Sequence, residues 1–157
     1  MFEGTALVEY IVRKLHEKDP HKQIGKTIVQ KIGYLLTRQL DSGFNYSMYH
    51  YGPYSGEVAS ELELASEIGL VTIRWEQDKG YFIEPGRISY EHVLDAPMKD
   101  KINAIVAKYG HYNALTLSII ATALYVKDNF DVSNDDELVE VVASLKPQHD
   151  KIWIKQT

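Results

Sequence analysis

Apolar residues recur at helical spacing at Ala6, Leu7, Tyr10, Ile11 and Leu15, and Asp19-Pro20 ends the run because proline cannot continue a helix. This predicts a first helix from about Thr5 to Lys18. A second stripe, Ile24, Ile28, Ile32, Leu35 and Leu36, has Lys26, Lys31 and Arg38 off it and ends at the turn-forming Asp41-Ser42-Gly43. Phe44 to Met48 alternate with period two and predict a short strand, extended by Tyr49, His50 and Tyr51 and broken by Gly52-Pro53. Ser55 is placed to cap a third helix carrying Val58, Leu62, Ala65 and Ile68, with Gly69 closing it. Residues 70–75 and 81–83 are rich in β-branched and aromatic side chains and flank a polar connection, so they read as a hairpin ended by Pro85-Gly86.

Further on, Pro97 fits a first helical turn, and Met98, Ile102, Ile105 and Val106 carry that helix to Gly110. Asn113 opens a run from Leu115 to Val126 that is apolar on nearly every side, the mark of a buried helix central to the C-terminal half. Ser133 with Asp136 resembles a capping box before Leu138 to Leu145, and Pro147 stops that helix. Ile152-Trp153-Ile154 is apolar enough to dock on the fold or on a partner. The expected architecture is α+β and mostly helical. Residues 1–90 have the element order of a winged helix with the hairpin as wing, and residues 91–157 form helices packed on it within one domain.

The 157 residues suffice to bury a core without disulfides, and the chain has no cysteine, which removes thiolate metal sites and Cys nucleophiles. No apolar run reaches a membrane span and no export signal is legible, so a cytoplasmic protein is expected. Charge divides unevenly: residues 1–43 carry a net +2, residues 44–90 carry −4 and residues 91–157 carry −3, giving −5 in all. A protein that releases counterions from DNA concentrates lysine and arginine on its binding face. Here the predicted third helix, the element that would enter a major groove, instead displays Glu57, Glu61, Glu63 and Glu67.

No motif specifies a reaction. His16 and His21 are separated by Asp19-Pro20 and cannot share a helical face as metal ligands do. Asp135, Asp136 and Glu137 lack the glycine and alternation of a calcium loop and read as an acidic helix start. Gly-Pro-Tyr-Ser-Gly around Ser55 is not a nucleophile elbow, and Gly25-Lys26-Thr27 lacks the first glycine of a phosphate loop, because position 20 is Pro20. No catalytic residue, metal or cofactor is therefore expected.

The most unusual local composition is Tyr46, Tyr49, His50, Tyr51 and Tyr54. Tyrosine is enriched at interfaces because it joins an apolar body to a polar tip. Core packing by alternate members is the simpler account of any single one. The expected function is a non-catalytic regulatory or adaptor module that binds a protein through Tyr49, His50, Tyr51, Tyr54, Glu57 and Glu61. The alternative is a DNA-binding regulator, expected as a homodimer, using Lys22, Lys26, Lys31, Arg38, Arg74 and Lys79. A remote third reading is an enzyme with its site near Tyr34, His50 and Tyr51.

The stretch GKTIVQKIGYLLTRQL, followed by YHYGPYSGEVASELELASEIGLV, resembles the YwgA-like family of small uncharacterised bacterial and archaeal proteins. Gln30-Lys31-Ile32-Gly33-Tyr34-Leu35 and Tyr51-Gly52-Pro53-Tyr54-Ser55 are its most specific parts, and it extends loosely to LSIIATALYV and VVASLKP. More distantly the chain is similar to the Panacea, or SocA-like, antitoxin domain, which also pairs a Lys-Leu-Leu-Tyr-type helix with a Tyr-Gly-Pro turn. Those proteins act through protein partners, as toxin neutralisers or proteolytic adaptors, so the resemblance implies an interaction role. Gly33 departs from the pattern, standing where the antitoxin domain usually carries a bulky apolar residue.

Overall fold

A computed structural model describes residues 2–40, 43–130 and 134–145. The chain runs through α1 (Phe2–Lys18), α2 (Lys26–Thr37), β1 (Ser47–Tyr49), β2 (Gly52–Tyr54), α3 (Gly56–Glu67), β3 (Val71–Glu76) and β4 (Gly80–Pro85). It continues through α4 (Ala96–Tyr109), α5 (Ala114–Asn129) and α6 (Asp135–Leu145), with a 3-10 turn at Glu91–Val93. The protein is therefore α+β and mostly helical, with two separate two-stranded antiparallel sheets, β1-β2 and β3-β4. Ser133, Pro147 and the Ile152-Trp153-Ile154 tail lie outside the described residues, as do Asp41 and Ser42 of the predicted turn. Asn134 accepts the Glu137 N–H at 2.8 Å beside the acidic start of α6.

α1 is enclosed on several sides. Its expected stripe is buried, and so are Thr5, Val8, Glu9 and Val12 on its other sides, because α2, α3, α4 and β4 all pack around it. A buried carboxylate survives only when its charge is answered. Glu9 accepts from Arg13 Nε at 2.9 Å, from the Ser89 hydroxyl at 2.7 Å and from the Tyr90 N–H at 2.8 Å. One continuous apolar cluster joins α1, α2 and α3 to Leu94, Ile102, Ile105, Val106, Leu117 and Ala121, so residues on both sides of position 90 share a core. α5 lies against α2 and β2 and carries α6 on another face through Ile119, Val126 and Val142.

The strands depart from expectation at the first hairpin, where β1 covers only Ser47–Tyr49 and leaves Phe44 to Tyr46, His50 and Tyr51 outside it. Gly52-Pro53 does not break a strand but begins β2, which turns back on β1 in the register Met48 opposite Pro53. Proline is tolerated there because its missing N–H falls in a two-stranded edge pair. β1 consequently does not join the β3-β4 hairpin. The extra rung on β4 comes from between α1 and α2, where Ile24 O accepts the Ile83 N–H at 2.8 Å. Ser55 caps α3 by accepting the Val58 N–H at 3.2 Å, as its position predicted.

Candidate functional site

α2 contains two polar residues that its apolar stripe does not account for. Gln30 and Lys31 are both buried, and both reach across to the β1-β2 hairpin. The Gln30 amide donates to Ser55 O at 2.8 Å, which also accepts the Ala59 N–H at 3.2 Å, and accepts from Ser55 N at 2.9 Å, so one side chain binds both backbone groups of the α3 cap residue. Lys31 Nζ donates to Pro53 O at 2.9 Å. On the opposite side Gly52, at φ +101°, lies so close to α5 that a Cβ would sit 2.7 Å from Thr122 Oγ1 and 3.3 Å from Ser118 O. Only glycine combines that backbone conformation with that approach. The two most distinctive sequence motifs thus meet as one clamp that fixes the hairpin between α2 and α5.

A second glycine has the same logic. Gly33 leaves room for the Tyr46 hydroxyl, which would lie 2.8 Å from a Cβ at that position. Tyr46 uses the space to pack edge-on against Tyr34, with ring centroids 5.2 Å apart. Glycine at position 33 therefore has a local packing reason. Tyr34 also donates to Asp128 Oδ2 at 3.3 Å, and Arg38 binds the same carboxylate through two bonds of 2.7 and 3.0 Å. Burial, then the Asp128 charge, raises the Tyr34 pKa, while the Arg38 hydrogen bond lowers that of Asp128.

Held in this way, the hairpin presents its tip outward. Tyr49, Tyr51 and Trp75 are 59%, 66% and 62% exposed, unusual for side chains of that size. Tyr49 stacks on Tyr54 at 4.9 Å, and Trp75 meets Tyr81 across the β3-β4 pair at 4.9 Å. Three depressions converge on Lys26 at the start of α2. One of about 190 Å³ is lined by Lys26, Thr27, Gln30, Tyr49, His50 and Tyr51. Another of about 810 Å³ runs from Tyr51 past Trp75 and Tyr81 to Leu115 at the start of α5. A third of about 540 Å³ lies between α2, β3 and α3, with Tyr54, Val58 and Ile73 facing Glu63 and Glu67.

Among the expected interface residues, Tyr49, His50, Tyr51 and Tyr54 share this face. Glu57 and Glu61 do not. They line a different depression beside α1, where Glu57 accepts the Asn45 N–H at 2.7 Å and Glu61 accepts the Thr5 hydroxyl. The acidic residues that share a depression with Tyr54 are Glu63 and Glu67.

Of the basic residues of the DNA alternative, Lys22, Lys26 and Lys79 line one depression, and Lys31, Arg38 and Arg74 lie elsewhere. Lys31 is buried in the clamp, Arg38 is paired with Asp128, and Arg74 is bound to Glu76 and Glu84 beneath the Phe82 ring. Lys22 donates to Gly110 O and Tyr112 O, and burial lowers its pKa from the usual lysine value. Lys26 lies 4.0 Å over the Tyr81 ring, and Lys79 stands 3.8 Å from Glu76. Tyr34 does not line the depressions that hold His50 and Tyr51, so the three residues of the enzyme reading do not converge. Among the described residues no group of three or more His, Asp or Glu side chains has metal-binding placement. No helix among them is long and apolar enough to cross a membrane.

Trp75, Tyr81 and Leu115 were not among the expected site residues. Their signal was faint: a tryptophan near the turn of a hairpin and a leucine in the first turn of an apolar helix.

Fold and face together define a mostly helical α+β protein that presents a rigidly held aromatic hairpin beside a second one. The chain is 29% identical over 137 residues to the uncharacterised protein YwgA of Bacillus subtilis (strain 168), an alignment covering 82% of this chain and 78% of that protein. That distant relationship supports the likeness to YwgA-like proteins. No family model matches the chain.

Proposed function

We propose that the chain is a non-catalytic module, regulatory or adaptor in kind, that binds a protein partner through the face around Lys26. The observation that carries this reading is the exposure of Tyr49, Tyr51 and Trp75 on hairpins fixed to the core. Aromatic side chains held rigid before binding lose little entropy on association and dominate interface energetics. Tyr-Gly-Pro in the clamped turn is also the element that the resemblance to the Panacea domain rests on, and proteins of that type work through protein partners. Helices α1 to α3, the Ile24 rung and the β3-β4 hairpin favour a winged-helix-type scaffold, with β1-β2 inserted between its second and third helices. DNA reading is the weaker alternative, because most of the lysines and arginines it needs are engaged by carboxylates or carbonyls and α3 is acidic.

The test is capture from a native lysate by the immobilised full chain, compared with Tyr51→Ala and Trp75→Ala and with Lys101→Ala on exposed α4 as control. A stoichiometric partner retained by the parent and the control but lost from both aromatic variants is expected. A partner that binds all four equally, or none for the parent, would sink the reading.

A further inference from the structure

The depression between the two hairpins and the start of α5 differs chemically from the rest of the protein. Lys22, Lys26 and Lys79 line it, and no carboxylate does, although the chain carries a net charge of −5. Among the described residues, neither Lys22 nor Lys26 forms an ion pair. The remaining walls supply exposed apolar surface from Tyr51, Trp75, Tyr81 and Leu115. A positive, aromatic-lined hollow of about 810 Å³ has room for several side chains.

The geometry points to an acidic peptide segment of the partner, carrying aromatic or aliphatic anchors between its carboxylates, as the occupant of this depression. The inference rests on the partner-binding reading and names the chemistry of the segment bound. The anchors pack against Trp75 and Leu115, and the carboxylates meet Lys26 and Lys79, which sets orientation and encounter rate. A short segment fits better than a nucleic-acid strand because the positive field ends abruptly. Glu76 lies beside Lys79 at one end, and Glu63 and Glu67 line the neighbouring depression that shares Lys26. A continuous polyanion leaving the hollow would run into those carboxylates.

The experiment is a fluorescence-anisotropy titration of the full chain with a short fluorescein-labelled peptide in which Asp and Glu alternate with Trp and Leu. The comparison probes replace its acids by Lys, replace its Trp and Leu by Ala, or are an oligothymidylate. Saturable binding of the first probe is expected, with both peptide controls at least about tenfold weaker. Lys26→Glu, at a half-buried position, and Lys79→Glu, at an exposed one, with folding of each checked by circular dichroism, should each weaken it about fivefold or more, and Lys101→Glu should not.

No saturation up to about 1 mM, equal binding of the lysine peptide, or tighter binding of the oligonucleotide overturns the inference. So does binding that emerges only after Ile152, Trp153 and Ile154 are replaced by Ser, since the occupant is then the chain's own C-terminal segment. Failure of the probe while lysate capture still depends on Tyr51 and Trp75 removes the acidic-segment inference and leaves the partner reading standing.

Discussion

Gln30→Leu tests the clamp that presents the aromatic hairpin. Leucine keeps the bulk of the glutamine side chain but removes the amide that accepts from Ser55 N and donates to Ser55 O. Ser55 is 1% exposed, so water does not readily take over. Ser55 O keeps the Ala59 N–H at 3.2 Å, so Ser55 N alone is left unpaired, and one buried backbone group without a partner costs about 1–3 kcal/mol. That is a large share of the roughly 5–15 kcal/mol by which a domain of this kind is stable. For a chain of 157 residues it corresponds to a fall in Tm of roughly 2–12 °C. Urea unfolding followed by circular dichroism measures it, with an unchanged m value confirming that the change lies in stability. Amide exchange at Ser55 should accelerate in parallel. A Gln30→Leu protein within about 0.5 kcal/mol of the parent would refute the clamp as the element that fixes the hairpin.

Other expectations follow from neighbouring contacts. Gly33→Ala forces a Cβ against the Tyr46 hydroxyl and should destabilise by about 1–3 kcal/mol in the same assay, with the near-ultraviolet tyrosine signal altered. Glu9→Ala leaves the Tyr90 N–H, the Ser89 hydroxyl and Arg13 without their shared acceptor inside the core, and should cost about 3–5 kcal/mol by chemical denaturation. The Arg38–Asp128 pair should give a small acid-sensitive contribution. Its carboxyl pKa is depressed in the folded state, so the stabilisation is present above the unfolded pKa and disappears as pH falls through the folded one. With side chains 32% and 37% exposed, screening holds it under about 1 kcal/mol. The stability difference between parent and Arg38→Gln should be measurable at pH 7 and vanish below the folded pKa.

The helices were legible because their signals are local. Asp19-Pro20 ends α1 and Ser55 caps α3 where the pattern placed them, and Asn113 caps α5 by accepting the Thr116 N–H. The strands at the hairpin were not, since three-residue strands leave little periodicity and Gly52-Pro53 reads as a breaker. What holds them extended is tertiary: Lys31 on Pro53 and the close approach of Gly52 to α5. The centrality of α1 was hidden for a similar reason. Glu9 looks like a solvated position until Ser89 and Tyr90, some eighty residues away, supply its partners. At the site, the unusual tyrosines could be seen in the sequence. Their grouping with Trp75, Tyr81 and Leu115 could not, because it depends on how three elements distant in the chain come together. Glu57 and Glu61 lie on another flank because helix α3 turns them toward α1.

The central claim, that the face around Lys26 receives a protein, is tested most directly by photo-crosslinking in living cells. A photoreactive phenylalanine is placed at position 51, at position 75 or, as control, at position 101. The same single adduct from positions 51 and 75, and none from 101, is the predicted result. No adduct from either hairpin, or identical adducts from all three positions, would contradict it.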